Sequence, residues 1–267
     1  MTATPGTVIK GIFALQLLIG VALIAGDLSF GLPGLPSTQR APGMDQPVRP
    51  GDQTRRYRPR DLPDVPNRPF PATPDMPPRL VLEDAELDGR DVLRMVGSIA
   101  PGDGDRVAVL LDQRFQVDDA PEALLLHSPG GSVEDALALG REIRRLGLAV
   151  EIAAGDVCLS ACPYLLAGGA ERSVDPDGSV GVHQHYFGEN SVQPAFLAVE
   201  DIQAGQGRVM GYLDEMGLDP LLMQHALTTP PDSIYIFVAE ELERYGIVSE
   251  AASTGGAYPD RDAAFAL

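Results

Sequence analysis

Ser160 is the residue of this sequence best suited to act as a nucleophile. It lies in the run CLSAC at 158–162, after the apolar segment AVEIAAG and before the apolar segment PYLLAGG. If a strand leads directly into a helix there, the hydroxyl lies at the positive end of the helix, where backbone amides can stabilise an oxyanion. The alternative role is that of an ordinary helix N-cap serine.

Two histidines follow in the run GVHQH at 181–185. On a strand, the side chains of His183 and His185 point to the same face because side-chain direction alternates with period two. Either imidazole could serve as a general base for a serine.

A third signal is the run SPGG at 128–131, between the apolar segment EALLLHS and a helical pattern. Paired glycines lack side chains, so backbone N–H groups at a helix start can face a ligand or an oxyanion. A simple tight turn is the alternative.

The order of these motifs, SPGG, then CLSAC, then GVHQ, resembles the Clp protease proteolytic subunit family. The run LERYGIV at 242–248 looks like that family's closing helix and strand. The resemblance covers about residues 90–250, and it is strongest to a group of exported, membrane-anchored relatives with the Cys-x-Ser-Ala-Cys run. It implies a ClpP/crotonase-like α/β fold of stacked ββα units for residues 80–250.

The resemblance also implies a serine peptidase with Ser160 as nucleophile, His183 as base and Asp232 as the acid that orients the base. His185 would be an alternative base or a neighbour. The local match around Asp232 is poor, and three further aspartates are fallback candidates: Asp175, Asp177 and Asp201.

The same resemblance assigns the oxyanion donors to the backbone amides of Gly131 and Ala161. Ser128 and Gly130 would contact an extended peptide substrate, and His127 would support the site from behind. The expected partners are a peptide or unfolded protein and further copies of the chain, with no cofactor and no metal.

Three other functions compete with a Ser-His(-Asp) peptidase. The strongest is a catalytically inactive ClpP-like module that binds peptides or acts as a scaffold in the cell envelope, since a fold does not imply activity. A crotonase-type acyl-CoA enzyme, with carboxylates such as Glu134, would leave Ser160 and His183 unexplained. A serine–lysine mechanism is excluded for the body of the chain, because Lys10 is the only lysine.

The net charge of −18 argues against binding to nucleic acids, which are themselves polyanions. The acidic excess lies after residue 79, whereas the preceding part is weakly basic. The acidic body and the basic leader are therefore different regions of the chain.

The leader begins with an apolar run from Gly11 to Gly26 behind Lys10. This order is typical of a signal anchor, and Lys10 favours a cytoplasmic amino terminus. We therefore expect residues 1–31 to form a single transmembrane segment in a bacterial inner membrane, with the body in the periplasm. Residues 32–79 hold more than half of the 24 prolines and predict a disordered linker.

Short apolar runs and helical patterns alternate after Pro78, which predicts an α/β layer architecture. The clearest helix is Ser132–Leu146, with a capping pattern at Ser132 and a glycine stop at Gly147. Residues 251–267 are expected to be a loose tail. The remaining expectations are strands at 79–87, 92–100, 122–128, 149–155, 179–187 and 247–248, and helices at 105–115, 160–167, 194–216, 219–227 and 239–245.

Cys158 and Cys162 flank Ser160 at a spacing of four residues. One helical turn would bring their α-carbons close enough for a disulfide, but helical side-chain directions would strain the bridge. We therefore expect two reduced, buried thiols that pack the start of the helix.

Overall fold

The computed structural model describes residues 5–29, 41–44, 46, 48–58, 68–70, 75–184 and 195–249. The chain divides into two compact units, Met1–Arg40 and Ala41–Leu267. In the first unit helix α1 spans Pro5–Ser29 and includes the apolar run. Among the described residues no helix combines the length and apolar character needed to cross a membrane.

The second unit is a mixed α/β structure. In chain order its strands and helices are β1 (Thr54–Arg56), β2 (Val81–Leu87), β3 (Arg90–Val96), α2 (Asp103–Phe115), β4 (Ala123–His127), α3 (Val133–Leu146), β5 (Ala149–Ile152), β6 (Val157–Leu159), α4 (Cys162–Gly168), β7 (Glu171–Val174), β8 (Ser179–Val182), α5 (Ala195–Glu215), a 3₁₀ turn (Pro220–Leu222), α6 (Met223–Thr228), β9 (Ser233–Ile236) and α7 (Ala239–Arg244). The coarse α/β prediction is confirmed.

The strands form two mixed sheets. The larger has the order β2-β3-β4-β5-β7, in which β2 pairs antiparallel with β3 and the other neighbours are parallel. The smaller has the order β1-β9-β8-β6, with β6 and β8 parallel and β9 antiparallel to both of its neighbours. Strand β4 is buried along its whole length, as expected for a central parallel strand.

Helix α3 forms as its sequence predicts. The Ser132 side chain accepts a hydrogen bond from the Asp135 amide, and Gly147 ends the helix with a φ of 67°. Its buried face includes Leu139 and Ile143, which join the main core together with Leu124 and Leu126 of β4. Strand β4 and helix α3 therefore hold the intervening SPGG run at both ends.

Several predictions fail at the short elements. Residues 54–56 form β1 inside the range predicted as linker, and β6, β7 and β9 are strands that the patterns missed. The predicted strand at 247–248 is wrong, because the amides of Ile247 and Val248 donate to the Leu242 carbonyl and continue the end of α7 as turns. The predicted tail at 251–267 lies outside the described residues.

Candidate active site

Ser160 lies at a sharp junction between β6 and α4. Its φ is 62°, in the left-handed region that costs an L-residue about 1–2 kcal/mol. The only other non-glycine residue with positive φ in the described part of the chain is Asp88, in the β2–β3 hairpin turn, where aspartate adopts this conformation readily. Strained backbone at a serine between a strand and a helix is typical of a functional site.

His183 meets Ser160 across the smaller sheet. The parallel pairing of β6 and β8 puts Leu159 opposite Gly181, so the residues that follow these strands emerge at the same edge. The Nε2 atom of His183 lies 2.8 Å from the Ser160 hydroxyl oxygen, and only 7% of the His183 surface is exposed. This distance suits proton transfer from the serine to the imidazole. His185 lies outside the described residues.

The SPGG run packs against the Ser160 turn. A Cβ atom built on Gly130 would lie 2.5 Å from the Leu159 carbonyl oxygen, 2.6 Å from the Ser160 Cβ and 2.9 Å from the Ala161 nitrogen. Gly130 has a φ of 98°, and its amide donates to the Ser128 hydroxyl. Only a residue without a side chain permits this approach.

The backbone of the SPGG run presents the Gly131 amide away from the neighbouring chain. Ile99 donates to the Gly130 carbonyl and accepts from the Ser132 amide, so the Gly131 N–H points to the opposite side. Within the described residues, neither the Gly131 amide nor the Ala161 amide donates a hydrogen bond to the chain. Both are therefore available to an oxyanion beside Ser160.

Ser160 and His183 meet, and the two predicted oxyanion residues belong to adjoining segments. No known protein-family model matches this sequence. A serine in a strained turn, an imidazole in hydrogen-bonding contact and two available amides are the components of acyl-transfer catalysis.

Asp232 is not brought to this pair. Its side chain is exposed, and its carboxylate accepts from the neighbouring Ser233 hydroxyl. Among the fallback aspartates, Asp175 accepts from the Asp177 amide in the turn before β8, and Asp201 lies exposed on α5. No hydrogen bond joins Asp232, Asp175 or Asp177 to His183 in the described part of the structure.

The cysteine prediction is wrong, because Cys158 and Cys162 form a disulfide. The expectation assumed one turn of helix, whereas Cys158 belongs to β6 and only Cys162 belongs to α4. The left-handed turn at Ser160 reverses the chain between them, and their α-carbons are 5.0 Å apart. The disulfide therefore encloses the candidate nucleophile in a small covalent ring.

Behind the site, His127 belongs to a buried polar network. Its Nδ1 atom accepts a hydrogen bond of 3.1 Å from the Val157 amide, which connects the end of β4 to the start of β6. The same nitrogen lies 3.2 Å from an Asp156 carboxylate oxygen, and Asp156 in turn binds Arg94. Burial, with Arg94 and Arg68 nearby, lowers the pKa of His127 to about 3. A neutral His127 thus supports both candidate loops.

This network predicts a specific loss of stability in acid. An unfolded histidine has a pKa near 6.5, whereas the pKa of folded His127 is about 3. Between these two pH values the unfolded chain binds a proton that the folded chain does not bind. The His127 contribution is complete above pH 6.5 and is lost as the pH falls towards 3, by about 2 kcal/mol between pH 7 and pH 5. Urea unfolding at the two pH values measures it. In His127→Asn the asparagine oxygen can still accept from the Val157 amide, but the side chain does not titrate. The decrease in the free energy of unfolding from pH 7 to pH 5 should therefore be about 2 kcal/mol smaller than in the wild type. An identical pH dependence in both proteins would contradict a buried neutral imidazole.

Sequence reasoning missed Tyr57. It lies just after β1 in the range predicted as linker, and its ring centroid is 4.9 Å from that of His183. Its hydroxyl donates to the Pro129 carbonyl, and burial raises the pKa of this phenol. An arginine- and proline-rich stretch carried no periodic signal that could have revealed the contact.

Proposed function

We propose that this protein is a serine hydrolase that cleaves peptide or ester bonds through Ser160 and His183. The observation that carries the proposal is the 2.8 Å contact between the imidazole Nε2 and the hydroxyl of a serine held at a φ of 62°. The resemblance to the Clp protease proteolytic subunit agrees with the proposal, as does the mixed α/β architecture.

The mechanism follows from the positions of these groups. His183 removes the hydroxyl proton as the Ser160 oxygen attacks the carbonyl carbon, and the amides of Gly131 and Ala161 stabilise the resulting oxyanion. The protonated imidazole then donates to the leaving group, which leaves an acyl-enzyme. A water molecule, activated by the same imidazole, hydrolyses the acyl-enzyme and restores the serine.

We further propose that the protein acts outside the cytoplasm, in the bacterial cell envelope. The disulfide between Cys158 and Cys162 supports this location, because such bonds persist in oxidising compartments. Attachment to the inner membrane through residues 1–31 and assembly into a homo-oligomer stay predictions from the sequence.

A second candidate function is an inactive peptide-binding module. The position of Asp232 favours it, since the exposed carboxylate of this predicted acid binds Ser233 and not His183. The two functions differ in one property, the nucleophilicity of Ser160.

Labelling with a fluorophosphonate probe distinguishes the two functions. We expect the wild-type chain to be labelled and Ser160→Gly to be unlabelled at an unchanged circular dichroism spectrum. Glycine is the matched replacement because it adopts a φ of 62° without strain. His183→Ala should slow labelling by about 100-fold or more, with a milder effect of His185→Ala. A folded but unlabelled wild type would favour the inactive module, and labelling that persists in Ser160→Gly would exclude Ser160 as nucleophile.

A further inference from the structure

Tyr57 is held firmly beside the candidate nucleophile. Its backbone amide donates to the Asp232 carbonyl, and the preceding strand β1 pairs with β9 through Thr54 and Tyr235. Arg55, which lies in β1 between Thr54 and Tyr57, is fully buried. The approach of this segment to the site is therefore part of the folded sheet.

Apolar contacts add to this attachment. Tyr57 packs, together with Met44 and Val48, against a small buried cluster of the smaller sheet. The cluster consists of Val157, Leu159, Ile234 and Ile236. Since Val157 and Leu159 belong to β6, the strand that leads into Ser160, the position of Tyr57 is coupled to that of the nucleophile.

The Tyr57 side chain spans two parts of the site. Its ring lies against the His183 ring, and its hydroxyl binds the Pro129 carbonyl in the SPGG run. In an acyl transfer, the imidazole that accepts the serine proton must then reach the leaving atom. The leaving group consequently departs close to His183, the residue whose ring the tyrosine contacts.

We infer that Tyr57 is a specificity-determining residue that restricts the leaving group to a small one. The inference rests on the proposed hydrolase function. A long peptide extending beyond the cleaved bond would collide with the ring between His183 and Pro129. The Tyr57 hydroxyl also occupies the Pro129 carbonyl, a backbone acceptor of the kind that extended peptides use. Substrates with a single terminal residue, or a small amine or alcohol, as leaving group avoid both conflicts.

Two substrates with the same acyl peptide test this inference on the full chain. One carries an aminocoumarin as its leaving group, and the other continues for several residues to a fluorescence quencher. In Tyr57→Ala we expect kcat/KM for the long substrate, relative to the short one, to rise about tenfold or more, because a steric block is removed. Tyr57→Phe retains the ring and should stay close to the wild-type ratio. Tyr57→Leu, which preserves apolar packing, provides a second shortened side chain if alanine destabilises the fold.

The outcomes separate this inference from the proposed function. A wild type that hydrolyses neither substrate and is not labelled by a fluorophosphonate overturns the hydrolase function, and with it the inference. A wild type that cleaves the short substrate, with an unchanged ratio in folded Tyr57→Ala or Tyr57→Leu, overturns the role of Tyr57 alone. Equal wild-type rates on both substrates would do the same.

Discussion

Replacement of Gly130 with alanine is expected to abolish fluorophosphonate labelling and to destabilise the fold by on the order of 3 kcal/mol. The new methyl group would overlap the Leu159 carbonyl oxygen at 2.5 Å and the Ser160 Cβ at 2.6 Å. Both neighbours belong to the strained junction, so relief of the overlap must move Ser160. The φ of 98° adds a conformational cost of its own. The midpoint temperature of thermal unfolding should fall by about 6–12 °C for a domain of this size.

Gly89→Ala is the matched control for this substitution. Gly89 also has a positive φ, of 79°, but a Cβ there meets no heavy atom within 4 Å. The Gly89→Ala variant should lose only about 1 kcal/mol of stability, the conformational cost of a positive φ, and its labelling should be unchanged. If Gly130→Ala were labelled like the wild type, or lost no more stability than Gly89→Ala, the SPGG run would not be packed against Ser160 as described.

Removal of the Cys158–Cys162 disulfide is expected to slow labelling of Ser160 by about tenfold, an effect typical of lost positioning in an active site. The bond closes a ring of five residues around a serine with positive φ, and without it the turn can relax towards unstrained conformations. Chain-entropy arithmetic for so small a ring gives a stability loss of about 2 kcal/mol. The decrease in thermal midpoint should be about 4–8 °C.

Reduction and mutation together test this expectation. Dithiothreitol should slow labelling of the wild type, and reoxidation should restore the rate. The double variant Cys158→Ala/Cys162→Ala should be slow from the start and insensitive to the reductant. Both cysteines are fully buried, so the reduction is carried out in mild denaturant and verified by mass after alkylation. A labelling rate that is the same in the oxidised, reduced and double-variant proteins would show that the turn at Ser160 keeps its conformation without the disulfide.

The predictable parts of the fold are those with strong local signals. Helix α3 has a capping serine, an apolar stripe and a terminal glycine, and it forms within the predicted bounds. Strand β4 follows a continuous apolar run, and β2 and β3 lie in segments where apolar residues alternate with charged ones. Strand β1, in contrast, is three residues of threonine and arginine that form a strand because β9 accepts them, and pairing of that kind leaves no periodic trace in the sequence.

The residues of the candidate site likewise differ in whether a local sequence signal reveals them. Ser160, His183 and the SPGG run could be found because each follows or precedes a recognisable element, and sheet pairing then brings them together. The disulfide could not be inferred correctly without the φ of Ser160, a single torsion that reverses the chain. Tyr57 could not be found at all, since its place depends on a contact between distant parts of the chain.

The pairing of β1 with β9 also dictates an order of assembly. The two strands are separated by roughly 180 residues, and contacts between such distant segments form late in folding. During synthesis β1 has no partner until β9 has been made, whereas the β4–α3 and β6–α4 units can already fold. Ser160 and the SPGG run can therefore come together before Tyr57 docks beside them. If Ser160 and Tyr57 act as proposed, the maturing chain passes through a stage in which its reactive centre is formed but its selectivity is not.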